Sequence, residues 1–330
     1  MSKFFKVVVL STIASSLPFV VCQATANRSF LPNYTPLKPQ FLVGITADEI
    51  INLALQKQKD ILVQKVVNSE ELRFQKLMQY AQEQNLSNLS MSEIMQEVAK
   101  SFLGAEYKAN LLDQQNPETL LVTLDKFDCV LFVETVLAIA RGIAVKDYSY
   151  QTFVNHLQNQ RYRNGELPEY CHRLHYFSDW IIDNQNRGNV QNISLDLGGI
   201  SQKTTLNFMS KNRNRYPQMV NNDANYQCIV EMESHLAGLT VNYIPKYRIS
   251  GVYSQLQPGD IIAVATDIPG LDFTHTGLVY RYANGRVGFI HASPAGTVTT
   301  ARDLQRYVRN VKNSMGIVVV RAIDPRHLQR

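Results

Sequence analysis

Apolar side chains recur at steps of three and four residues through the first third of the chain. Between residues 46 and 84 this spacing is continuous, which predicts one long helix. Residues 85–88 interrupt it with the run Asn-Leu-Ser-Asn. Ser90 followed by Glu93 then has the spacing of a capping box, which predicts a second helix that reaches Phe102. The segment is rich in Gln, Lys and Glu, and we interpret it as a helical extension packed on the main domain.

The pattern changes along the rest of the chain. Residues 128–144 are strongly apolar with helical spacing. From Gln257 onward, short β-rich runs alternate with turn signals such as Asn284-Gly285. Helices that precede a meander of strands predict an α+β fold. The predicted strands span residues 261–265, 276–280, 286–291 and 317–322.

The first residues have the composition of an export signal. Lys3 and Lys6 give a basic start, and the mostly apolar residues 7–21 are too short for a comfortable membrane span. Residues 24–26, Ala-Thr-Ala, fit a small-x-small cleavage site, so we expect cleavage after Ala26 and an exported, periplasmic protein. The alternative is a lipoprotein signal at Cys22, which the large valine before that cysteine disfavours.

Length and composition allow one sizeable domain with an extension. The chain has 330 residues, of which 45% are apolar. We divide it into a signal peptide (1–26), a Pro-rich lead-in with the helical extension (27–98) and the main domain (99–330). The net charge of +5, with no block of Lys or Arg, predicts no nucleic-acid partner. No later segment predicts a stable membrane span, and the sequence leaves the oligomeric state open.

Common enzyme signatures are missing, so cysteine and histidine are the candidates for chemistry. The chain has no phosphate loop, no G-x-G-x-x-G, no G-x-S-x-G and no H-E-x-x-H. Without the leader, three cysteines remain: Cys129, Cys171 and Cys228. In an exported protein an odd number suggests one bonded pair and one free thiol, with three isolated buried thiols as the alternative.

Cys129 stands at the predicted start of the apolar helix. At such a position free backbone N–H groups and the helix dipole lower the pKa of a thiol, and the same N–H groups can bind an oxyanion during acyl transfer. Asp128 can cap this end of the helix. A cysteine at a helix start is more often structural, so its position alone leaves both a nucleophile and a packing residue open.

Two histidines further along the chain can supply the base that a cysteine nucleophile needs. His275 lies at the start of one predicted strand and His291 lies on the next, with the turn Asn284-Gly285 between them. Antiparallel neighbours would place the two imidazoles side by side, so that one could orient the other. The alternative is a pair of surface histidines on a hairpin.

Short motifs in a fixed order give the chain a family resemblance over roughly residues 99–322. The chain resembles the NlpC-type superfamily of papain-like cysteine hydrolases. Within it, the chain is most similar to the N-acetylmuramoyl-L-alanine amidase-like subgroup, long catalogued as a domain of unknown function. The motifs are Phe102-Leu103-Gly104-x-x-Tyr107, Phe127-Asp128-Cys129-x-x-Phe132-Val133-Glu134, Arg173-Leu174-His175-Tyr176-x-Ser178-Asp179-Trp180, Asn207-Phe208-Met209-Ser210, Pro258-Gly259-Asp260, Gly270-Leu271-Asp272-x-x-His275-x-Gly277 and Ile290-His291-Ala292-Ser293.

The resemblance implies Cys129 as the nucleophile, His275 as the base and His291 as the residue that orients it. Tyr107 matches a tyrosine that lies near the oxyanion and the substrate. The implied core is papain-like, with the nucleophile helix packed on an antiparallel β-barrel or sheet. The implied reaction is hydrolysis of the amide between N-acetylmuramic acid and L-alanine in muropeptides, without a cofactor. The alternatives are an endopeptidase that cuts the stem peptide and a non-catalytic cell-wall-binding protein on the same scaffold.

Further polar residues near these motifs are candidates for contact with the oxyanion or the substrate. Arg161, Arg163 and Arg173 can bind muropeptide carboxylates through bidentate forks, or they can be solvated surface arginines. Glu134 can bond to backbone in the cleft or be an ordinary polar helix residue. The full set of candidates is Asp128, Glu134, Arg163, Arg173, His175 and Asp272, besides Tyr107.

Cys171-His172-x-x-His175 offers three metal ligands without a clear fourth, so we expect no metal there. His175 more readily shapes the substrate cleft or packs beside Trp180. Cys171 and Cys228 are the natural disulfide pair if the protein is exported.

Overall fold

Two helices open the part of the chain that the structure describes, as the apolar spacing predicts. The computed structural model describes residues 47–114, 117–167 and 169–327, so the predicted signal peptide and most of the lead-in lie outside the described residues. Helix α1 spans Ala47–Glu83 and α2 spans Met91–Ser101. The predicted capping box is present, since the Ser90 hydroxyl accepts from the Glu93 N–H and the Glu93 carboxylate accepts from the Ser90 N–H. The chain divides into two units after Leu55, and the unit that begins at Gln56 contains α2 and every later element.

The strongly apolar stretch forms the central helix, α3, over Cys129–Ala144. Apolar side chains on all its sides are buried, among them Leu131, Val136 and Leu137, as expected for a helix enclosed by other elements. None of the described helices has the length and apolar character to cross a membrane. The later helices are α4 (Tyr150–Arg161), α5 (Phe177–Asn186), α6 (Phe208–Lys211), α7 (Pro217–Val220), α8 (Asp223–His235) and α9 (Leu304–Asn310).

The second half of the chain builds an antiparallel sheet. The described strands are β1 (Glu106–Tyr107), β2 (Lys126–Phe127), β3 (Val190–Asn192), β4 (Ile200–Lys203), β5 (Thr240–Pro245), β6 (Ile261–Thr266), β7 (Phe273–Arg281), β8 (Val287–Ala292), β9 (Val298–Ala301) and β10 (Ser314–Ala322). Among the described residues the sheet contains eight strands in the order β4-β5-β10-β6-β7-β8-β9, with β3 paired to β10. A separate parallel pair, β1 with β2, precedes α3. The four predicted strands are confirmed as β6, β7, β8 and β10.

The two faces of this sheet bury different helices. Side chains alternate between faces along each strand. Leu278 and Ile290 belong to the core that contains α3, whereas Val279 and Phe289 belong to a second core with Leu304 of α9. The sheet is therefore covered on both faces, and the α+β class predicted from the sequence is confirmed.

A β-bulge lies directly before His275. Ala265 of β6 pairs with Phe273 of β7, but the next residue, Val264, pairs with His275, so Thr274 is the extra residue. Phe273 packs in the α3 core while His275 lies beside Phe289 of the second core. Two residues that a regular strand would place on one face are thus separated, which is how bulges re-aim side chains.

Gly259 and Asp260 join the helical segment to the sheet. Gly259 has a φ of +75°, and a Cβ there would collide with Cβ of Met95 and lie 2.6 Å from the carbonyl oxygen of Ser92 on α2. Asp260 forms a bidentate ion pair with Arg321 of β10, with both N–O distances 2.8 Å. The core runs from α2 into α3 without interruption. The domain boundary at residue 98 stays a prediction.

Replacing Gly259 with alanine tests this close approach, and Gly285→Ala is its matched control. Both glycines have positive φ, but a Cβ at Gly285 meets nothing within 4 Å. We expect Gly285→Ala to lower the free energy of unfolding by about 1 kcal/mol through backbone strain, and Gly259→Ala by about 2–4 kcal/mol because overpacking against α2 adds to it. Urea unfolding of both variants measures the difference. Equal losses would show that α2 does not press on the turn.

Candidate active site

The start of α3 is held by Asp128, as predicted. One carboxylate oxygen of Asp128 accepts the backbone N–H groups of Val130 and Leu131 at 3.0 and 2.8 Å. This satisfies two of the N–H groups that a helix leaves without a partner at its first turn. The expectation that N–H groups at the helix start are free to bind an oxyanion therefore fails for Val130 and Leu131, whose N–H groups the cap occupies, and remains open for Cys129. Burial raises the pKa of Asp128 to about 6.

Thr276 ties the same helix end to the sheet. Its hydroxyl donates to the carbonyl oxygen of Cys129 at 2.9 Å. Hydrogen bonding by Thr276 also partly lowers the pKa of the Cys129 thiol, although burial raises it more. Sequence reasoning missed this residue, although it immediately follows His275, because a threonine within a β-rich run is typical of an ordinary strand.

The two histidines meet on neighbouring strands, as the hairpin pattern predicted. Nε2 of His275 lies 2.7 Å from Nδ1 of His291, and the ring planes are 89° apart. If Nε2 of His275 carries the proton and donates it to His291, Nδ1 of His275 remains an acceptor. Gly277 makes this possible, since a Cβ there would lie 2.5 Å from the ring of Phe289, which packs against both imidazoles.

Burial keeps all three catalytic candidates uncharged. It raises the pKa of the Cys129 thiol to about 11, and the charge of Asp128 adds to the effect. It lowers the pKa of His275 to about 3, with His291 as a second cause, and the pKa of His291 to about 4. The expected lowering of the thiol pKa at the helix start is wrong for this protein, because desolvation outweighs the donors around the sulfur.

Cys129 and His275 line one cavity of about 260 Å³ at the start of α3. Tyr107 lies beside it on β1. Burial raises the pKa of this tyrosine, and the nearby charges of Cys129 and Asp128 raise it further. Three predicted site residues are absent from the cavity wall: Tyr107, Arg163 and His291. The other predicted residues that line the cavity are Asp128, Glu134, Arg173, His175 and Asp272.

Two further acids on the wall, Glu134 and Asp272, are bound by partners within the protein. Glu134 accepts from Nε of Arg161 at 2.7 Å and from the indole N–H of Trp180 at 3.2 Å. Asp272 accepts from the N–H and the hydroxyl of Ser178 at 2.8 and 2.7 Å, and from the N–H of Phe273 at 2.8 Å. These carboxylates fix α3, α4, α5 and the start of β7 relative to one another.

The arginines are also paired. Arg163 binds the buried Asp179 of α5, and Arg173 lies 3.3 Å from Asp113 and 3.4 Å from a carboxylate oxygen of Glu118. The interpretation as solvated arginines is wrong for Arg161 and Arg173, which are 1% and 6% exposed. Arg161 lines the cavity, and one of its terminal nitrogens, Nη2, is buried without a hydrogen-bond partner.

Cys171 and Cys228 form a disulfide that joins the segment before Arg173 to α8, and Cys129 is the free cysteine among the described residues. His175 bonds through Nε2 to the carbonyl of Tyr170 at 2.9 Å and packs on the Tyr170 ring. It does not pack beside Trp180, whose ring stacks on Phe177. Within the described ranges, no three His, Cys, Asp or Glu side chains are arranged to hold a metal.

This domain, with its apolar helix packed on an antiparallel sheet, is similar to amidase-like proteins. The chain belongs to the AmiA-like family, described as N-acetylmuramoyl-L-alanine amidase-like, whose model matches residues 97–317. No curated protein matches the chain.

Solved structures agree with this family. An N-acetylmuramoyl-L-alanine amidase from Bacteroides uniformis ATCC 8492 superposes with a TM-score of 0.68 at 30% identity, covering 71% of this chain and 100% of that one. A Bacteroides fragilis protein named provisionally as a xylanase gives 0.61 at 32% identity, covering 68% and 99%. A Legionella pneumophila protein gives 0.60 at 21% identity, covering 78% and 96%, and shows the fold alone.

The lowered pKa of His291 predicts a specific loss of stability in acid. Its folded pKa of about 4 lies below the ordinary 6.5, so its contribution is complete above pH 6.5 and is lost as the pH falls toward 4. Between pH 7 and pH 5 we expect the wild type to lose on the order of 2 kcal/mol more unfolding free energy than His291→Asn. Urea unfolding at both pH values measures this. Parallel losses would contradict an uncharged His291.

The contact between Thr276 and the thiol predicts how Cys129 reacts. With a thiol pKa of about 11, alkylation by iodoacetamide should rise with pH well beyond the range of an ordinary cysteine. Thr276→Val removes the hydroxyl, so its alkylation at pH 8 should be about 3- to 10-fold slower, since a raised pKa leaves less thiolate. Mass spectrometry of the Cys129 peptide gives the rate, and Thr240→Val is the control, because Thr240 is the exposed first residue of β5. Equal rates in the wild type and Thr276→Val would exclude this contact.

Proposed function

We propose that the protein is an exported cysteine amidase that hydrolyses the amide between N-acetylmuramic acid and L-alanine in peptidoglycan fragments. The observation that carries this proposal is the cavity that contains both the Cys129 thiol and His275, with His275 hydrogen-bonded to His291. Membership of the amidase-like family supports the substrate class. The papain-like, NlpC-type assignment belongs to the same proposal. The disulfide between Cys171 and Cys228 supports export, because such bonds persist in oxidising compartments.

The reaction begins with an uncharged thiol and an uncharged imidazole. As the sulfur of Cys129 attacks the amide carbonyl, its proton moves to Nδ1 of His275, and the S–C bond forms. The imidazolium of His275 then gives this proton to the amide nitrogen as the C–N bond breaks, which releases the amine of L-alanine. Water then attacks the thioester while His275 takes its proton. As the C–S bond breaks, the lactyl acid leaves and His275 returns the proton to the Cys129 sulfur. His291 holds the ring of His275 through both steps.

The oxyanion needs donors that the helix cap has not taken. The N–H of Cys129 faces its own sulfur, and the hydroxyl of Tyr107 lies near enough to respond to the charge of Cys129. We assign these two groups to the tetrahedral intermediate, where donors placed in advance stabilise the developing charge.

The free donor of Arg161 supports an acidic substrate. A buried guanidinium nitrogen without a partner leaves part of its hydrogen-bonding capacity unused. Since the carboxylates on the cavity wall already have internal donors, a carboxylate of the stem peptide is the group that complements this nitrogen.

Glycoside hydrolysis, which the provisional name of the Bacteroides fragilis protein suggests for that protein, fits this cavity less well. It needs two carboxyl groups available to the sugar, one as an acid and one as a base or nucleophile. Here Glu134 and Asp272 are each bound by two or more internal donors, and Asp128 caps α3.

Digestion of defined muropeptides by the wild type and Cys129→Ala tests the proposal. We expect the wild type to release a peptide with free N-terminal L-alanine, and the variant to be slower by about 1000-fold or more, as for loss of a nucleophile. Mass spectrometry of the products distinguishes this cut from one within the stem peptide, which would identify an endopeptidase. Hydrolysis by Cys129→Ala at the wild-type rate would contradict the assignment of Cys129 as the nucleophile. Binding of muropeptides by the wild type without any product would identify a binding protein.

A further inference from the structure

Tyr307 lies against the histidine pair, although no sequence motif contains it. It is on α9, a seven-residue helix whose Leu304 and Val308 are buried in the second core of the sheet. Its ring centroid lies 4.7 Å from that of His291 and 6.0 Å from that of His275. The burial of its two neighbours on α9 therefore holds a third aromatic ring at the catalytic pair.

Phe289 completes an aromatic enclosure around His291. It stacks on the imidazole with centroids 4.9 Å apart and planes 19° apart, and it also contacts Tyr307 at 4.9 Å. The imidazole of His291 thus has one aromatic ring stacked on it from its own strand and a second packed on it from α9. A side chain held in this way loses rotational freedom before the reaction begins, which is the advantage of a site organised in advance.

We propose that Tyr307 is a positioning residue of the catalytic pair, whose ring closes the enclosure that holds His291 against Nε2 of His275 and keeps water from both imidazoles. The inference rests on the proposed function for its meaning in catalysis, but the enclosure itself is independent of any substrate. The lowered pKa values of both histidines agree with it, since burial is the main cause of each.

The charged groups around Tyr307 lie on two sides. Cys129 lies on the inner side. Burial is the main cause that raises the pKa of Tyr307 to about 12, and the charge of Cys129 is the second cause. On the outer side Tyr307 borders a cleft with three arginines and one aspartate. Opening the enclosure would therefore expose the imidazoles to water from this cleft. Its charged side chains are Arg286, Arg302, Asp303 and Arg306.

The experiment compares Tyr307→Ala, which removes the ring, with Tyr307→Phe, which keeps it. Tyr247→Ala is the matched control, because this tyrosine is 74% exposed. NMR of protein with ¹⁵N-labelled histidine follows the titration of His291 and His275, with resonances assigned through His291→Asn and His275→Asn. In Tyr307→Ala we expect the pKa of His291 to rise by about one unit or more, because water reaches the ring. We expect no comparable rise in Tyr307→Phe or Tyr247→Ala.

Turnover of muropeptides gives the second readout. Tyr307→Ala should lower kcat by about 10- to 100-fold with little change in KM, the pattern for misplacement of a catalytic group. The acid limb of its pH–rate profile should move to higher pH, while Tyr307→Phe stays within about threefold of the wild type at all pH values. Tyr307→Leu keeps an apolar side chain but is shorter, so it leaves the space of the outer part of the ring open to water; it gives the same comparison if the alanine variant does not fold. We expect it to change in the same direction.

An unchanged histidine titration in folded Tyr307→Ala or Tyr307→Leu would overturn the proposal. A loss of turnover in Tyr307→Phe as large as in Tyr307→Ala would also overturn it, because the hydroxyl would then be the acting group. The two proposals fail separately. If the wild type does not hydrolyse muropeptides, the proposed function fails and the NMR titration still decides the enclosure. If the titration is unchanged while Cys129→Ala abolishes turnover, only the role of Tyr307 fails.

Discussion

The structure depends most on how the first turn of α3 is attached to the sheet. Asp128 caps the helix through its first N–H groups, and the hydroxyl of Thr276 bonds to the carbonyl of Cys129. The residue before Thr276 is His275, so one short stretch of β7 both anchors the cysteine and carries the histidine. A shift of either element would separate them. The bulge at Thr274 permits this arrangement by letting Phe273 enter the α3 core while His275 faces the opposite way.

Desolvation governs the chemistry of this site more than the helix dipole does. Burial favours the uncharged forms of the Cys129 thiol and of both imidazoles. A charged thiolate–imidazolium pair is therefore disfavoured at rest. In the mechanism that we propose, proton transfer accordingly accompanies attack on the substrate, and two neutral partners suit such a concerted step. The same burial lowers the free energy of unfolding in acid, because the histidines bind protons in the unfolded chain but not in the native site.

Most polar motif residues around the cavity serve to position elements rather than to contact substrate. Glu134 binds Arg161 and Trp180, Asp272 binds the start of α5, and Asp260 binds Arg321 of β10. A buried charge needs such a partner, and losing one partner leaves the other uncompensated. On the cavity wall, Nη2 of Arg161 and Nε of Arg173 are buried without a hydrogen-bond partner, and in our proposal Nη2 of Arg161 binds a substrate acid.

The local sequence pattern determined much of the secondary structure of this protein. Apolar spacing predicted α1, α2, α3 and four strands, because the periods of helix and strand are properties of consecutive residues. The turn Asn284-Gly285 between two predicted strands placed His275 and His291 on adjacent strands. Only the tertiary structure decided that the thiol pKa rises rather than falls, that Thr276 bonds to the carbonyl of Cys129 and that Tyr307 covers His291. These features depend on burial and on contacts between residues far apart in the chain, which no local spacing encodes.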